Sequence, residues 1–289
     1  QARHDHWRTD RGGEYPSQMT TLAAIQMVST PDVAENLATA GRLVAAAAAA
    51  GASFVTLPEY FCLMGERDAD RLRIGEDAAT GPIQQFLAET ARRQGVWLLG
   101  GTVPIRTTSG TRVRNASCLF APSGDIAARY DKIHLFAFDD GREAYDEATV
   151  LEAGTTPVAV TADGLRVGLS VCYDLRFPEL YRRLATPPNE MPLDLICAPS
   201  AFTHATGAQH WELLLRARAV ENQCYLMASA QGGMHRNGQR TWGHSMIVDP
   251  WGDVLASVGE GEGFAIARFD RDRLDTVRER LPALRHRKL

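Results

Sequence analysis

The feature that most constrains this chain is an alternation that runs through its first two thirds. Short apolar stretches of strand length are separated by amphipathic stretches of helix length, a pattern that specifies an α/β sheet with helical crossovers. Leu22–Ile25 reads as a short buried strand. Thr30 and Pro31 then supply an N-cap and a first helical residue, and Val33, Leu37, Ala40 and Val44 recur at helical spacing up to Gly51. A second strand, Ser53–Leu57, stops at Pro58 and leaves Glu59 just past its carboxyl end. The cycle repeats with a helix over Pro82–Gln94, a closing Gly95 and the strand Val96–Leu99.

Hairpins follow. Ala116–Phe120 and Ile126–Tyr130 flank a Pro-Ser-Gly-Asp turn, and Lys132 comes directly after the second strand. The segment Lys132 to Gly154 reads as a long irregular loop, a length usually tied to function. Arg166–Val171 is a buried strand that runs into Cys172, with a helix starting near Phe177-Pro178. Leu193–Cys197, a helix over Gln209–Asn222, and strands at Cys224–Ser229, His244–Val248 and Val254–Val258 complete the reading. Residues 1–18 show neither period and are expected to be a flexible extension, leaving one α/β domain over residues 19–289.

Groups at the carboxyl ends of strands line the usual ligand crevice of an α/β sheet. Glu59, Lys132 and Cys172 all fall there, although more than a hundred residues separate the first from the last. Singly, each has an ordinary explanation: a loop acid, a surface lysine, a cysteine packed as a small hydrophobe. Their flanks argue otherwise, because Leu57-Pro58-Glu59-Tyr60 and Tyr130-Asp131-Lys132-Ile133-His134-Leu135-Phe136 set the charges among apolar and aromatic neighbours. Amide hydrolysis needs a nucleophile, a base, an oxyanion donor and an acid for the leaving amine. A thiol with an ordinary pKa of about 8.5 is mostly protonated at neutral pH and needs a base. Glu59 can serve as that base, while Lys132 and the Tyr173 backbone N–H can hold the oxyanion.

Three blocks, Leu57–Tyr60, Tyr130–Phe136 and Gly168-Leu-Ser-Val-Cys-Tyr-Asp-Leu-Arg-Phe-Pro-Glu-Leu-Tyr181, resemble the signature blocks of the nitrilase superfamily of carbon-nitrogen hydrolases. The resemblance covers residues 20 to 287 in order. It implies an αββα sandwich able to stack into four layers, a Glu59-Lys132-Cys172 triad and a thioacyl-enzyme intermediate resolved by water. It also implies a second active-site glutamate after the lysine, which Glu147 matches best, with Glu143 the neighbouring alternative. The run from Ala201 to Gly252 is similar to the Nit-type amidases. It is closest to the branch that acts on deaminated glutathione, a repair activity, with the omega-amidases slightly further off. That branch implies substrate contacts at Arg176, Phe202 and Thr206, no cofactor and a homodimer. Arg176 could clamp a carboxylate, or equally pair with Asp174 or Glu179.

Other classes fit less well. Cys172 stands where a Gly-x-Ser-x-Gly elbow needs its last glycine, no papain-type flank surrounds it, and no His-Glu-x-x-His pair is present. Gly259-Glu-Gly-Glu-Gly263 is acidic and would repel phosphate. His4, Asp5 and His6 match nothing in the family, and no metal is expected. A net charge of −4 offers neither nucleic acid nor an anionic membrane a basic surface, so a small amide substrate and water are the expected partners. Five scattered cysteines without a CxxC pair, together with no apolar stretch of spanning length and no signal-peptide core, lead to an expectation of a soluble cytoplasmic enzyme. Two rivals keep the fold: a non-catalytic scaffold or thiol-redox protein, and an enzyme for nitriles or N-carbamoyl compounds.

Overall fold

The computed structural model describes residues 20–139, 141, 144–185 and 191–288; the 1–18 extension and Glu143 lie outside them. Its first sheet takes β1 (Thr21–Gln26), β2 (Phe54–Thr56), β3 (Trp97–Leu99), β4 (Val103–Arg106), β5 (Val113–Phe120) and β6 (Ile126–Asp131). A small hairpin, β7 (Ala137–Asp139) with β8 (Ala144–Asp146), precedes the second sheet. That sheet contains β9 (Val158–Ala162), β10 (Leu165–Leu169), β11 (Leu195–Cys197) and β12 (Tyr225–Ala228), then, after the hairpin β13 (Gly232–Met234) and β14 (Arg240–Trp242), β15 (Met246–Val248) and β16 (Val254–Ser257). The last strand, β17 (Gly263–Arg268), returns to the first sheet antiparallel to β1.

The strands β1, β2 and β3 run parallel, as do β10, β11 and β12, and antiparallel strands flank each core. Side chains alternate across a strand, so a strand covered on both faces must be apolar throughout. In β1, Leu22 and Ala24 join the core between the sheets, while Ala23 and Ile25 face the other way, toward the outer helices. Phe54 and Val55 in β2, and Leu99 and Leu98 in β3, divide the same way. The helices α1 (Val33–Ala49) and α3 (Pro82–Gln94) cover the first sheet, with the short α2 (Asp70–Arg73) between them in sequence. The second sheet is covered by α4 (Pro178–Ala185) and α5 (His204–Asn222), and α6 (Arg271–Arg280) follows β17. The fold is an αββα sandwich, as the resemblance implied.

Several boundaries differ from the sequence reading. Asp32, not Thr30, caps α1: its carboxylate accepts the Glu35 N–H at 3.0 Å, while the Thr30 N–H is drawn to Asn36 Oδ1 at 2.8 Å. The helix α5 begins at His204, five residues before the expected Gln209, because Thr203 caps it. Gly207 interrupts the apolar period there; a Cβ at that position would lie 2.2 Å from the Trp242 Cβ, so this turn accepts only glycine. The stretch from Lys132 to Gly154 is not irregular throughout, since it holds β7, β8 and a 3-10 helix at Glu147–Thr149. Strands of three residues are too short to register a period.

Candidate active site

Three strand ends build the site. Past β2, the Leu57 N–H is held by the Leu99 carbonyl at 2.9 Å, and the chain turns at Glu59 into Tyr60, which has a left-handed φ of 58°. Gly101 backs that turn, where a Cβ would meet the Pro58 carbonyl oxygen at 2.2 Å. The Glu59 backbone carbonyl accepts from Gln231 Nε2 at 3.1 Å, and Gln231 also donates to Ser29 Oγ at 2.8 Å. Lys132 continues β6, its N–H bonded to the Asn115 carbonyl at 3.1 Å. Past β10, Cys172 opens a 3-10 helix (Cys172–Arg176) with φ of 49°. Non-glycine residues in this region are uncommon and tend to mark functional turns.

Asp174 locks the cysteine turn to the lysine strand. Its carboxylate accepts the Val171 N–H at 2.8 Å, the Tyr130 hydroxyl at 2.7 Å and the His134 N–H at 3.1 Å, and lies 2.6 Å from His134 Nδ1. Asp174 is therefore committed to the scaffold and is not a partner for Arg176.

The ammonium of Lys132 lies 2.9 Å from Glu59 Oε1 and 2.8 Å from Glu147 Oε2. All three side chains are buried. Burial alone would depress the lysine, but the Glu147 and Glu59 charges outweigh it and hold the ammonium well above its ordinary value. The two carboxylates are driven apart. Burial raises Glu59, against the Lys132 charge and with help from that of Glu147. For Glu147 the burial penalty is overcome by Lys132, the Phe136 N–H at 2.7 Å and the Tyr60 hydroxyl at 2.5 Å, which hold it below the ordinary carboxylate value. Cys172 is close to Glu59; burial first and the Glu59 charge second push its thiol well up, with Lys132 and a backbone bond from Ala201 opposing.

Above Cys172 opens a cavity of about 230 Å³ including its mouth. Phe136 forms one wall, Tyr173 and Arg176 a second, and Ala201, Phe202, Thr203 and Thr206 a third. The Arg176 guanidinium sits 5.3 Å from the Phe202 ring centre and 5.9 Å from that of Tyr173, with Nη1 3.3 Å from His210 Nδ1. Thus the residues singled out in the sequence converge: Cys172 at the floor, with Glu59, Lys132 and Glu147 in the buried network behind it, and Tyr173, Arg176, Phe202 and Thr206 around the opening. Asn115, Tyr60 and Asp174, which also touch this constellation, were not singled out. Tyr60 and Asp174 carry a signal in standing next to Glu59 and two residues after Cys172, whereas nothing in the sequence pairs Asn115 with Glu59. Among the described residues no group of three or more His, Cys, Asp or Glu side chains is placed to hold a metal ion.

A family model for carbon-nitrogen hydrolases matches residues 21–279. A deaminated glutathione amidase of Synechocystis sp. is 42% identical, covering 92% of this chain and 97% of its own. The chloroplastic omega-amidase of Arabidopsis thaliana is 36% identical, over 94% of this chain and 73% of its own. Among solved structures, the C. elegans NitFhit protein superposes with a TM-score of 0.84 at 35% identity over 93% of this chain; the chain spans 65% of NitFhit. This chain belongs to the carbon-nitrogen hydrolase family, whose members cleave carbon–nitrogen bonds other than peptide bonds.

Proposed function

We propose that the protein is a cysteine-dependent amidase that hydrolyses the amide of deaminated glutathione between its 2-oxo acid end and the remaining peptide. The observation that carries the chemistry is one buried lysine shared by two carboxylates of opposite character, next to a thiol at the bottom of a cavity. Two titratable groups whose surroundings push them apart take different roles. Glu147, saturated with donors, remains an anion that anchors Lys132. Glu59, raised by burial, exchanges protons.

In this reading Glu59 takes the Cys172 proton as Sγ attacks the amide carbonyl carbon. The Lys132 ammonium and the Tyr173 N–H receive the oxyanion. Glu59 then passes the proton to the amide nitrogen, the C–N bond breaks and the amine leaves a thioester behind. Water, deprotonated by Glu59, attacks the thioester; the C–S bond breaks and the proton returns to sulfur. The raised thiol pKa supports this order, since the resting group is a thiol and ionises only as it attacks.

The substrate assignment is supported by the Synechocystis relative and by a mouth that offers Arg176 to a carboxylate and Phe202 and Thr206 to the chain behind it. We extend the reading to a homodimer in a reducing cytoplasm. Its five cysteines are free and buried. Leu213 and Val220 on α5, and Trp251 in the adjoining turn, expose apolar surface that a second copy could cover. Among the described residues no helix is long and apolar enough to cross a membrane.

The test is kcat/KM for deaminated glutathione and for 2-oxoglutaramate, followed by release of 2-oxoglutarate, the acyl product common to both. Preference for deaminated glutathione that disappears in Cys172→Ala supports the proposal. Preference for 2-oxoglutaramate would make the protein an omega-amidase. Inactivity on both would defeat the substrate assignment and send the search to nitriles and N-carbamoyl compounds, while slow alkylation of Cys172 would favour a scaffold role.

A further inference from the structure

Asn115 stands on β5, buried, between the two residues that flank the thiol. Its side-chain Nδ2 donates to Glu59 Oε1 at 2.9 Å, the same oxygen that accepts from Lys132 Nζ at 2.9 Å. Its backbone carbonyl accepts the Lys132 N–H at 3.1 Å. One residue therefore grips the base through its side chain and the lysine through its backbone.

The two carboxylates receive their donors differently. On Glu147 both oxygens are engaged: Oε1 by the Tyr60 hydroxyl and Lys132, Oε2 by Lys132 and the Phe136 N–H. On Glu59 the amide of Asn115 and the ammonium of Lys132 converge on Oε1. The terminal torsion of a glutamate is broad and close to two-fold, so one donor alone leaves the carboxylate free to present either oxygen or both to the lysine. A second donor from another direction removes that freedom. An amide suits the task because it carries no charge and does not exchange a proton with the base at neutral pH.

We propose that Asn115 is a positioning residue for this hydrolase, which together with Lys132 occupies Oε1 of Glu59 and so reserves Oε2 for proton exchange with Cys172. The inference rests on reading Glu59 as the base. It is specific to Asn115 rather than to buried polar residues in general, because the contact is made to the reacting group itself.

The experiment compares wild type, Asn115→Ala and the isosteric Asn115→Asp as full chains, recording kcat, KM, the pH profile of kcat/KM and the thermal midpoint, with Glu59→Gln in parallel. In Asn115→Ala, kcat should fall about 100-fold, the scale of a misplaced catalytic group, with KM changed less than about two-fold. Loss of a donor to a carboxylate favours its protonated form, so the acid limb of the profile should move to higher pH. In Asn115→Asp, which keeps the shape but replaces the donor with a second carboxylate, it should move further. Profiles of both variants that superimpose on wild type after scaling would overturn the proposal, whatever happens to the thermal midpoint, because a merely structural residue lowers the amount of active enzyme without moving the limb. Glu59→Gln separates the two levels. An inactive Glu59→Gln beside unmoved Asn115 profiles defeats the positioning role alone, whereas an active Glu59→Gln defeats the base assignment on which it stands.

Discussion

Behind Cys172, forming the floor of the site, Glu59, Lys132 and Glu147 are buried, follow strand ends or a hydrogen-bonded turn, and are bound to one another and to Asn115, Tyr60 and the Phe136 N–H. At the mouth, Tyr173, Arg176 and Thr206 are half-exposed, the first two on the 3-10 turn after Cys172 and the third on the first turn of α5. Arg176 leans on aromatic rings and His210 rather than on a buried carboxylate. The floor is a charged network in a dry setting, where each group depends on its partners. The mouth can change side chains without disturbing that balance. A fold divided this way keeps one reaction and varies the amide it accepts.

Substitutions at the floor should therefore be severe. Cys172→Ala should lower kcat by at least about 10⁴-fold while the fold survives, and Cys224→Ala, buried behind the second sheet, should leave kcat unchanged. Steady-state rates and the far-ultraviolet circular dichroism of the two variants check this; a fully active Cys172→Ala would end the mechanism. Next in size, Lys132→Met strands two buried carboxylates without their cation and should cost about 3–5 kcal/mol, read from denaturant unfolding. The sign with pH follows from the raised lysine: its ion pairs stabilise fully below the ordinary value of 10.5, and their contribution is lost as pH rises through the higher folded value. Wild type should lose stability in that alkaline range more steeply than Lys132→Met.

A smaller effect separates the two glutamates. Glu59 is raised above the ordinary 4.5, so as pH falls the base is protonated early and kcat/KM should decline with a midpoint above 4.5. Glu147 is held below it, and its stabilising contribution, present above the ordinary value, is lost only as pH drops through the lower folded one. Activity should thus disappear on acidification before that part of the stability does. A pH–rate profile set beside a pH–unfolding series shows whether the order holds.

The same floor and mouth mark what can be read from the sequence. Glu59, Lys132 and Cys172 were legible because each comes at the end of a segment with strand character, apolar before Glu59 and Cys172 and the second arm of a hairpin before Lys132, which is a local signal. The contact of Asn115 with Glu59 was not, since it depends on the β5–β6 register and on β5 lying next to β3 in the sheet. The role of Asp174 in tying Val171 to Tyr130 and His134 joins segments some 40 residues apart and leaves no periodic trace. Helix starts failed for a local reason: Asp32 took the capping place expected of Thr30, and Thr203 started α5 early where Gly207 broke the apolar period because Trp242 needed the space. The α/β alternation itself was legible, because strands covered on both faces must be apolar without interruption.

The mouth supplies the mildest prediction. Arg176→Lys keeps the charge but loses the planar fork, which can meet a carboxylate with two parallel bonds and lie against the Tyr173 and Phe202 rings. If Arg176 holds the substrate carboxylate in the ground state and transition state alike, the substitution should raise KM about 10-fold and leave kcat nearly unchanged, since uniform binding does not alter the chemical step. A fall in kcat at constant KM would instead place Arg176 with the floor, acting on the reacting atoms through Tyr173 and the cysteine turn. That outcome would dissolve the division between the two regions, because a residue at the rim would then be setting the geometry of the thiol. A simple neutral amide without a carboxylate sharpens the comparison: Arg176→Lys should cost it nothing, whereas Cys172→Ala should abolish its turnover as completely as that of any other substrate.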